Sequence, residues 1–295
     1  MSKLTVCLTF DVDGMSSWIG TSKTNNPSMI SRGEFTVVAT PRILDLLKRK
    51  GVRGTFCIPG ATIYAFPDLA KRIRDDGHEL VHHGWIHENP ADFNEAGERE
   101  LLENGLVAFD RVLGIRPIGY RSPAWDLSAH SINLLRDKGF LYDSSCMGSD
   151  FTAYYLRTGD TWSLTDLYRF GETTDLVELP VNWALDDLPA FETILGFNGG
   201  YRSPRQIEEM WRDDFDFALA RCSGGIFTIT MHPEVIGRGS RLQMLERLID
   251  HMAAQDGVTF AAMHDYAEAW KKQNPLKGWK QENPLRTGIN AISTF

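Results

Sequence analysis

The sequence predicts an α/β fold built on a parallel sheet, either open or closed into a barrel. Three observations carry that expectation. Short apolar, strand-like runs alternate with helix-like segments along most of the chain. Gly or Pro marks many of the helix boundaries. Four polar clusters fall at or just beyond the ends of the expected strands, the edge where parallel α/β folds collect catalytic groups.

Taken in order, residues 4–10 read as a buried strand running into an acidic loop. Residues 41–50 read as a helix, with Pro41 early and Gly51 just past its end. Strand 53–58 leads to helix 67–76, closed by Gly77, and strand 79–82 runs into HGWIH at 83–87. A long helix covers 94–113 and stops at Gly114. Strand 117–120 precedes RSPAWD, and helix 128–138 follows, with Ser128 as N-cap and Gly139 after its end. Later come strand 176–179, helix 205–220 and strand 226–231, which delivers His232. Leu242, Leu245, Leu248, Ile249 and Met252 mark one face of an amphipathic helix. Strand 258–263 and helix 265–272 end the pattern. No repeat or linker divides residues 1–272, which are expected to form one domain. The aromatic stretch 146–200 reads as loops over a pocket. The weakly patterned tail, 273–295, is expected to wrap a neighbour or to be loosely ordered.

The 295 residues carry a net charge of -8, which disfavours a nucleic-acid partner and gives no general basic footprint for a membrane. No run reaches the roughly 18 apolar residues of a membrane span. The start, MSKLTVCLTFDVDG, has no long apolar stretch and no small-residue cleavage site, so a cytoplasmic location is expected. Cys7, Cys57, Cys146 and Cys222 are far apart and form no CxxC, so reduced thiols are expected.

Asp11 and Asp13 flank Val12 at the end of an apolar strand. Carboxylates there must face a cation, solvent or a proton donor, because burying them unpaired is costly. His83 and His87 are four apart, and on a helical turn both imidazoles share one side and can grip one ion. With a carboxylate they make a two-His-one-carboxylate set that leaves positions open for water and substrate. Neutral imidazole suits Zn²⁺, Co²⁺, Fe²⁺ or Ni²⁺. His82 is expected to point away and to pack or hydrogen-bond. Glu88 and Asn89 either support the ligands or lie in a solvated loop. His232 follows an apolar strand, where a histidine serves as general acid, third ligand or core residue; its place in a convergent site favours the proton donor. His78, His130, His251 and His264 read as structural or surface residues. No GxSxG is present, which argues against a serine hydrolase.

TFDVD at 9–13, HGWIH at 83–87, RSPAW at 121–125 and TMHPE at 230–234 resemble, in order, the motifs of the NodB-homology polysaccharide deacetylases, carbohydrate esterase family four. The likeness spans roughly residues 4–265. It implies a deformed (β/α) barrel with about seven parallel strands. It implies that Asp11 is the catalytic base and that Asp13, His83 and His87 hold one divalent metal ion, with Zn²⁺ the first choice. Arg121 would brace the catalytic carboxylate, the Ala124 backbone N–H would face the oxyanion, and His232 would be the general acid. Many members carry an aromatic residue at the position of Ala124, so the pocket wall is expected to differ. VELPVNWALDD at 177–187 stands where the family has its fourth motif, and Asp186 or Asp187 would support His232.

SRGEF at 31–35, YDSS at 142–145 and NWALDDLPAF at 182–191 resemble a cytoplasmic branch of the same superfamily that includes cyclic-imide hydrolases and relatives of allantoinase, often oligomeric. Metal-independent allantoinases lack the acidic pair, which this chain keeps. The resemblance therefore implies a metal-dependent hydrolase of carbon–nitrogen bonds outside peptides. Its substrate would be a small cyclic amide or imide or an N-acetyl sugar. The alternatives are a deacetylase of an N-acetylated polymer such as peptidoglycan and a non-catalytic carbohydrate-binding member. A two-His-one-carboxylate iron oxygenase is disfavoured by the strand–helix alternation. Trp18, Trp125, Trp162 and Trp183 are expected to cover the metal and close the pocket around a small ligand. Trp279, Leu285 and Phe295 are expected to be buried by a partner in a homo-oligomer.

Overall fold

The strand expected at residues 4–10 is the centre of the sheet, and its side chains are buried from Leu4 to Asp11 except for the half-buried Thr5. The computed structural model describes residues 3–192 and 201–288. In chain order its strands are β1 (Leu4–Asp11), β2 (Thr55–Ile58), β3 (Glu79–His82), β4 (Gly119–Tyr120), β5 (Tyr142–Asp143), β6 (Tyr154–Thr158), β7 (Thr161–Ser163), β8 (Asp166–Arg169), β9 (Glu172–Glu178), β10 (Gly225–Met231) and β11 (Val258–Phe260). The main sheet runs β10-β1-β2-β3-β4-β5-β9-β6, and β11 joins β1 off this path. From β10 to β9 the pairing is parallel; β6 is antiparallel to β9 at the far edge.

β1 pairs with β10 along almost its whole length. Its opposite edge is shared: β11 takes Leu4–Val6 and β2 takes Thr9–Asp11. A strand enclosed in this way is apolar on both faces, which is why it reads as a near-continuous hydrophobic run. The sheet curls without closing fully. The outer edge of β10 meets Asp186 in a single parallel bridge at Thr230, and the Ile226 N–H donates to the Phe151 carbonyl at 2.9 Å. This is the deformed (β/α) barrel that the sequence implies. Its curl points the ends of β1, β3, β4 and β10 at one cavity.

Several elements differ from expectation. The helix expected from residue 41 begins at Thr36 and holds Pro41 inside it. The carbonyl that loses its donor is that of exposed Val37, where solvent can replace the bond. Ser128 does not cap the next helix directly. Its hydroxyl accepts from the N–H groups of His130 and Ser131, and the helix starts at Ser131. The stretch read as loops from residue 146 contains β6 to β9, with β7 and β8 forming a separate hairpin. β9 starts at Glu172, earlier than expected, because its first half pairs with β6. The last strand ends at Phe260, and Met263 already begins a helix. In the tail, Trp279 does not await a partner. It is buried on its own chain, with ring centroids 5.3 Å from Tyr155 and 6.4 Å from Trp270. Leu285 is exposed, and Phe295 lies outside the described residues. All four cysteines are free, Cys7 and Cys57 within the core. No helix among the described residues is long and apolar enough to cross a membrane.

Candidate active site

Asp11 ends β1 and Asp13 follows in the turn before Gly14, whose φ of 58° sharpens that turn. Arg121, just beyond β4, has no solvent exposure. Its Nη1 donates to Asp11 Oδ1 at 2.8 Å and to Thr9 Oγ1 at 2.7 Å. Its Nε and Nη2 donate to the carbonyl and hydroxyl of Ser144 at 3.1 and 2.9 Å. Burial pushes the Asp11 carboxyl up, but the charges of Arg121 and His83 outweigh it, so Asp11 is held below the usual carboxylate range and is ionised at neutral pH.

His83 and His87 do meet, although not on a helical turn. Residues 83–89 form a tight loop in which the Glu88 carboxylate accepts from the N–H groups of Trp85 and Ile86 at 2.7–3.0 Å. His87 takes a left-handed φ of 59°, a strained choice for a non-glycine residue and one met most often at functional sites. The Nε2 atoms of His83 and His87 then lie 3.4 and 3.2 Å from the two oxygens of Asp13.

The outer ring nitrogens fix both tautomers. His83 Nδ1–H donates to the Arg121 carbonyl at 2.7 Å. The Thr21 hydroxyl donates to the His87 carbonyl at 2.7 Å, so at 2.6 Å from His87 Nδ1 it can only accept the Nδ1 proton. When neutral, each imidazole aims an Nε2 lone pair at Asp13. Asp13 Oδ1 and His83 Nε2 are buried without a hydrogen-bond partner among the described residues. Two neutral imidazoles and a carboxylate converging with orphaned acceptor atoms fit a divalent cation well.

His232 precedes Pro233 at the end of β10. Its Nδ1 lies 2.8 Å from Asp187 Oδ1, and the Asp187 carboxylate also accepts the His232 backbone N–H at 3.0 and 3.1 Å. Asp186 stands 3.7 Å from the same ring nitrogen, so Asp187 is the closer support. Burial disfavours the imidazolium, but the Asp186 charge and the Asp187 hydrogen bond more than offset this, and the His232 pKa rises well above its ordinary value. Because Nδ1 is committed to Asp187, Nε2 is the ring nitrogen that faces the site, 3.9 Å from Asp13 Oδ2.

The RSPAW loop brings backbone to the cavity. Ala124 and Trp125 have φ of 52° and 56°. Trp125 and Asp126 donate their N–H groups to Ser122 and Pro123, whereas the Ala124 N–H has no protein partner among the described residues. The loop rests on residues 143–146: Ser122 N–H donates to Ser145 Oγ, and Ser145 Oγ donates to Asp143. Glu178 accepts from the N–H groups of Ser145 and Cys146 at 3.1 and 2.9 Å. Burial and the neighbouring Asp143 carboxylate push the Glu178 carboxyl well above its ordinary value. His82 is structural, as expected. It donates from Nε2 to the Leu102 carbonyl at 3.0 Å, and burial lowers its pKa to about 3.

All seven residues expected at the site except Arg121, which lies behind Asp11, line one cavity of about 490 Å³. Trp18, Trp125 and Trp183 form much of its wall, and the Trp125 and Trp183 rings are 4.2 Å apart. Trp162 does not join them: it is exposed on the β7–β8 hairpin, stacked on Tyr168. Thr21 was not singled out by the sequence, and Ser144 and Glu178 entered only as members of the YDSS and VELPVNWALDD segments, with no role given to either. A lone threonine or serine carries no spacing signal, and Glu178 reads as part of an apolar strand.

The sequence pattern of the polysaccharide deacetylases matches residues 1–142. The peptidoglycan deacetylase of Helicobacter pylori is 37% identical over 282 residues, covering 90% of this chain and 96% of that protein. A peptidoglycan deacetylase-like protein of Gibberella zeae is 30% identical over 80% of this chain and 76% of its own. Among solved structures, a putative polysaccharide deacetylase from Mycobacterium smegmatis superposes with a TM-score of 0.82 at 35% identity, covering 92% of this chain and 91% of that one. An allantoinase superposes at 0.76 with 20% identity over 93% and 92%, a likeness of fold alone. With its four motifs gathered at one cavity and full-length relatives of this similarity, the chain belongs to the polysaccharide deacetylase family.

Proposed function

We propose that this protein is a metal-dependent amidohydrolase that removes the acetyl group from an N-acetylated amino sugar. The observation that carries the proposal is one cavity in which Asp13, His83 and His87 converge, with ionised Asp11 beside them and His232 opposite. Asp13, His83 and His87 would hold one divalent ion, with Zn²⁺ the best match to two imidazoles and a carboxylate. When bound, the ion supplies Lewis acidity, polarising the acyl carbonyl and acidifying water. Asp11, kept ionised by Arg121, takes the proton from the attacking water. The Ala124 N–H stabilises the oxyanion as the carbonyl becomes tetrahedral. His232, held protonated by Asp186 and Asp187, passes its Nε2 proton to the departing nitrogen. The three tryptophans exclude water from one side of the substrate.

Two outcomes follow. Thr21→Val removes the acceptor for His87 Nδ1–H and should weaken Zn²⁺ binding by about 10–100-fold, while Thr21→Ser retains it. Competition with a zinc chelator checks this, and unchanged affinity in the valine variant would remove Thr21 from the site. The pH profile supplies the second. Activity requires His232 charged and Asp11 ionised. The raised His232 pKa carries the alkaline limb of kcat/KM above the ordinary histidine range, and the lowered Asp11 pKa carries the acid limb below that of an ordinary carboxyl. Asp187→Asn removes a negative charge from His232, lowers its pKa and should shift the alkaline limb down by about 1–3 units with the acid limb in place. A stationary alkaline limb would assign it to another group.

A second reading is favoured by the tryptophan wall: a small cyclic amide or imide would fit the same confined space and need the same chemistry. Acetate release from N-acetylglucosamine oligomers, measured beside ring opening of succinimide, hydantoin and allantoin with zinc-loaded protein, tests both. Acetate release supports the deacetylase; ring opening alone overturns it.

A further inference from the structure

The catalytic cavity is charged differently at its two ends. Asp11, Asp13 and Asp186 lie buried at its floor, beside the histidines. Arg202 and Arg238 line the same cavity but are exposed, which places them at its mouth. Arg32 is there as well, half-buried, with its guanidinium carbon 4.5 Å from the Trp18 ring centroid. The Glu192 carboxylate at this end is already engaged by Arg32 and by Arg241, the latter at 2.9 Å.

Arg238 is held in a way that leaves its end uncommitted. Its Nε donates to the Glu234 carbonyl at 3.1 Å, and its guanidinium carbon sits 4.3 Å above the Phe35 ring centroid. Those contacts fix the plane of the group and spend none of its terminal nitrogens. Neither Arg202 nor Arg238 has a carboxylate partner among the described residues, and the residues outside that set include no Asp or Glu. The chain is otherwise acidic, at -8 overall. A guanidinium pre-oriented by an aromatic face, with two free donors at the edge of a cavity, has the geometry for bidentate capture of a carboxylate.

We propose that Arg238, with Arg202 beside the same opening, binds a carboxylate on the substrate, at the end remote from the scissile amide. The substrate class is then an N-acyl amino sugar that carries an acidic substituent. The sugar in that statement rests on the deacetylase reading above; the requirement for an anion rests on the arginines alone. The arrangement orients as well as binds. A carboxylate at the mouth turns the amide toward the buried ion site and Asp11, whereas the reverse pose would bring the carboxylate against Asp11, Asp13 and Asp186.

N-acetylmuramic acid and N-acetylglucosamine differ by one lactyl ether carboxylate and form a matched pair of probes. Quenching of the cavity tryptophans reports binding to the zinc-loaded protein without requiring turnover. At low salt the acidic sugar should bind about tenfold more tightly or better. That preference should shrink as ionic strength rises. Arg238→Gln should bring the ratio of the two affinities close to one, and Arg238→Lys should keep part of it. Equal affinity for the two sugars in the unaltered protein, binding of neither, or a preference that survives the paired change of Arg202 and Arg238 to Gln would overturn the proposal. Acid-selective binding without acetate release from either sugar would support the anion site and remove the deacetylase reading, so the two failures are distinguishable.

Discussion

Asp11→Asn should lower kcat by about a thousandfold or more while the protein still takes up its divalent ion, whereas His87→Ala should lose both. The two residues occupy different places around Asp13. Asp11 directs one oxygen to Arg121 at 2.8 Å and is ionised, which suits it to accept a proton. His87 points Nε2 at Asp13 from 3.2 Å, with its other nitrogen fixed by Thr21, which suits it to a metal. An asparagine at residue 11 still offers Arg121 an acceptor oxygen, so the loop that carries Ala124 stays supported. Only the proton acceptor is lost. At His87 an alanine removes a ligand and leaves Asp13 with His83 as its one partner in holding the ion. Elemental analysis of the purified variants, beside their turnover, separates the roles. Equal metal loss in both would show that Asp11 is a ligand and that the acidic pair has been assigned the wrong way round.

Arg121→Leu should be the most destabilising single change at the site, by about 3–5 kcal/mol, because it leaves a buried carboxylate uncompensated. Asp11 would lose its cationic partner inside the protein, and the Ser144 carbonyl would lose its donor. The effect should be strongly non-additive. In Arg121→Leu/Asp11→Asn the stranded charge is gone, so the double variant should recover much of the loss. Urea unfolding of the two single variants and the double variant forms the test cycle. A loss below about 1 kcal/mol for Arg121→Leu, or strict additivity, would mean that Asp11 is solvated or protonated when alone.

The parts of the molecule visible in the sequence are the parts that local chemistry specifies. β1 and β10 announce themselves as apolar runs, and the polar residues just past them sit at the cavity because a parallel sheet points its strand ends one way. His83 and His87 were recognisable by spacing, but their geometry was not. The helical turn that the spacing suggests is replaced by a loop that Glu88 ties down through two backbone N–H groups. Of the groups that orient the imidazoles, Asp187 entered only through the resemblance, as one of two candidates beside Asp186, and Thr21 did not enter at all. Thr21 is 66 residues from His87 and Asp187 is 45 from His232, so each pairing exists only once the barrel has formed. β5 is two residues long, too short to show a period, and β6 is recognisable only beside β9. Trp162 and Trp279 each departed from the expected role because aromatic residues look alike in sequence whether they end up on a hairpin or in a core.

The left-handed turn at Ala124 has an evolutionary consequence. In the proposed mechanism this position contributes through its main-chain N–H, an atom that every amino acid except proline supplies. Selection therefore acts on the shape of the turn and leaves the side chain open to drift. With φ at 52° the tolerated substitutions are those that accept positive φ readily, glycine and asparagine before any β-branched residue. A descendant could thus remodel the cavity wall through residue 124 and alter substrate preference without giving up the donor. Such a lineage would look divergent at this position to any comparison of side chains, while the atom doing the chemistry had never changed.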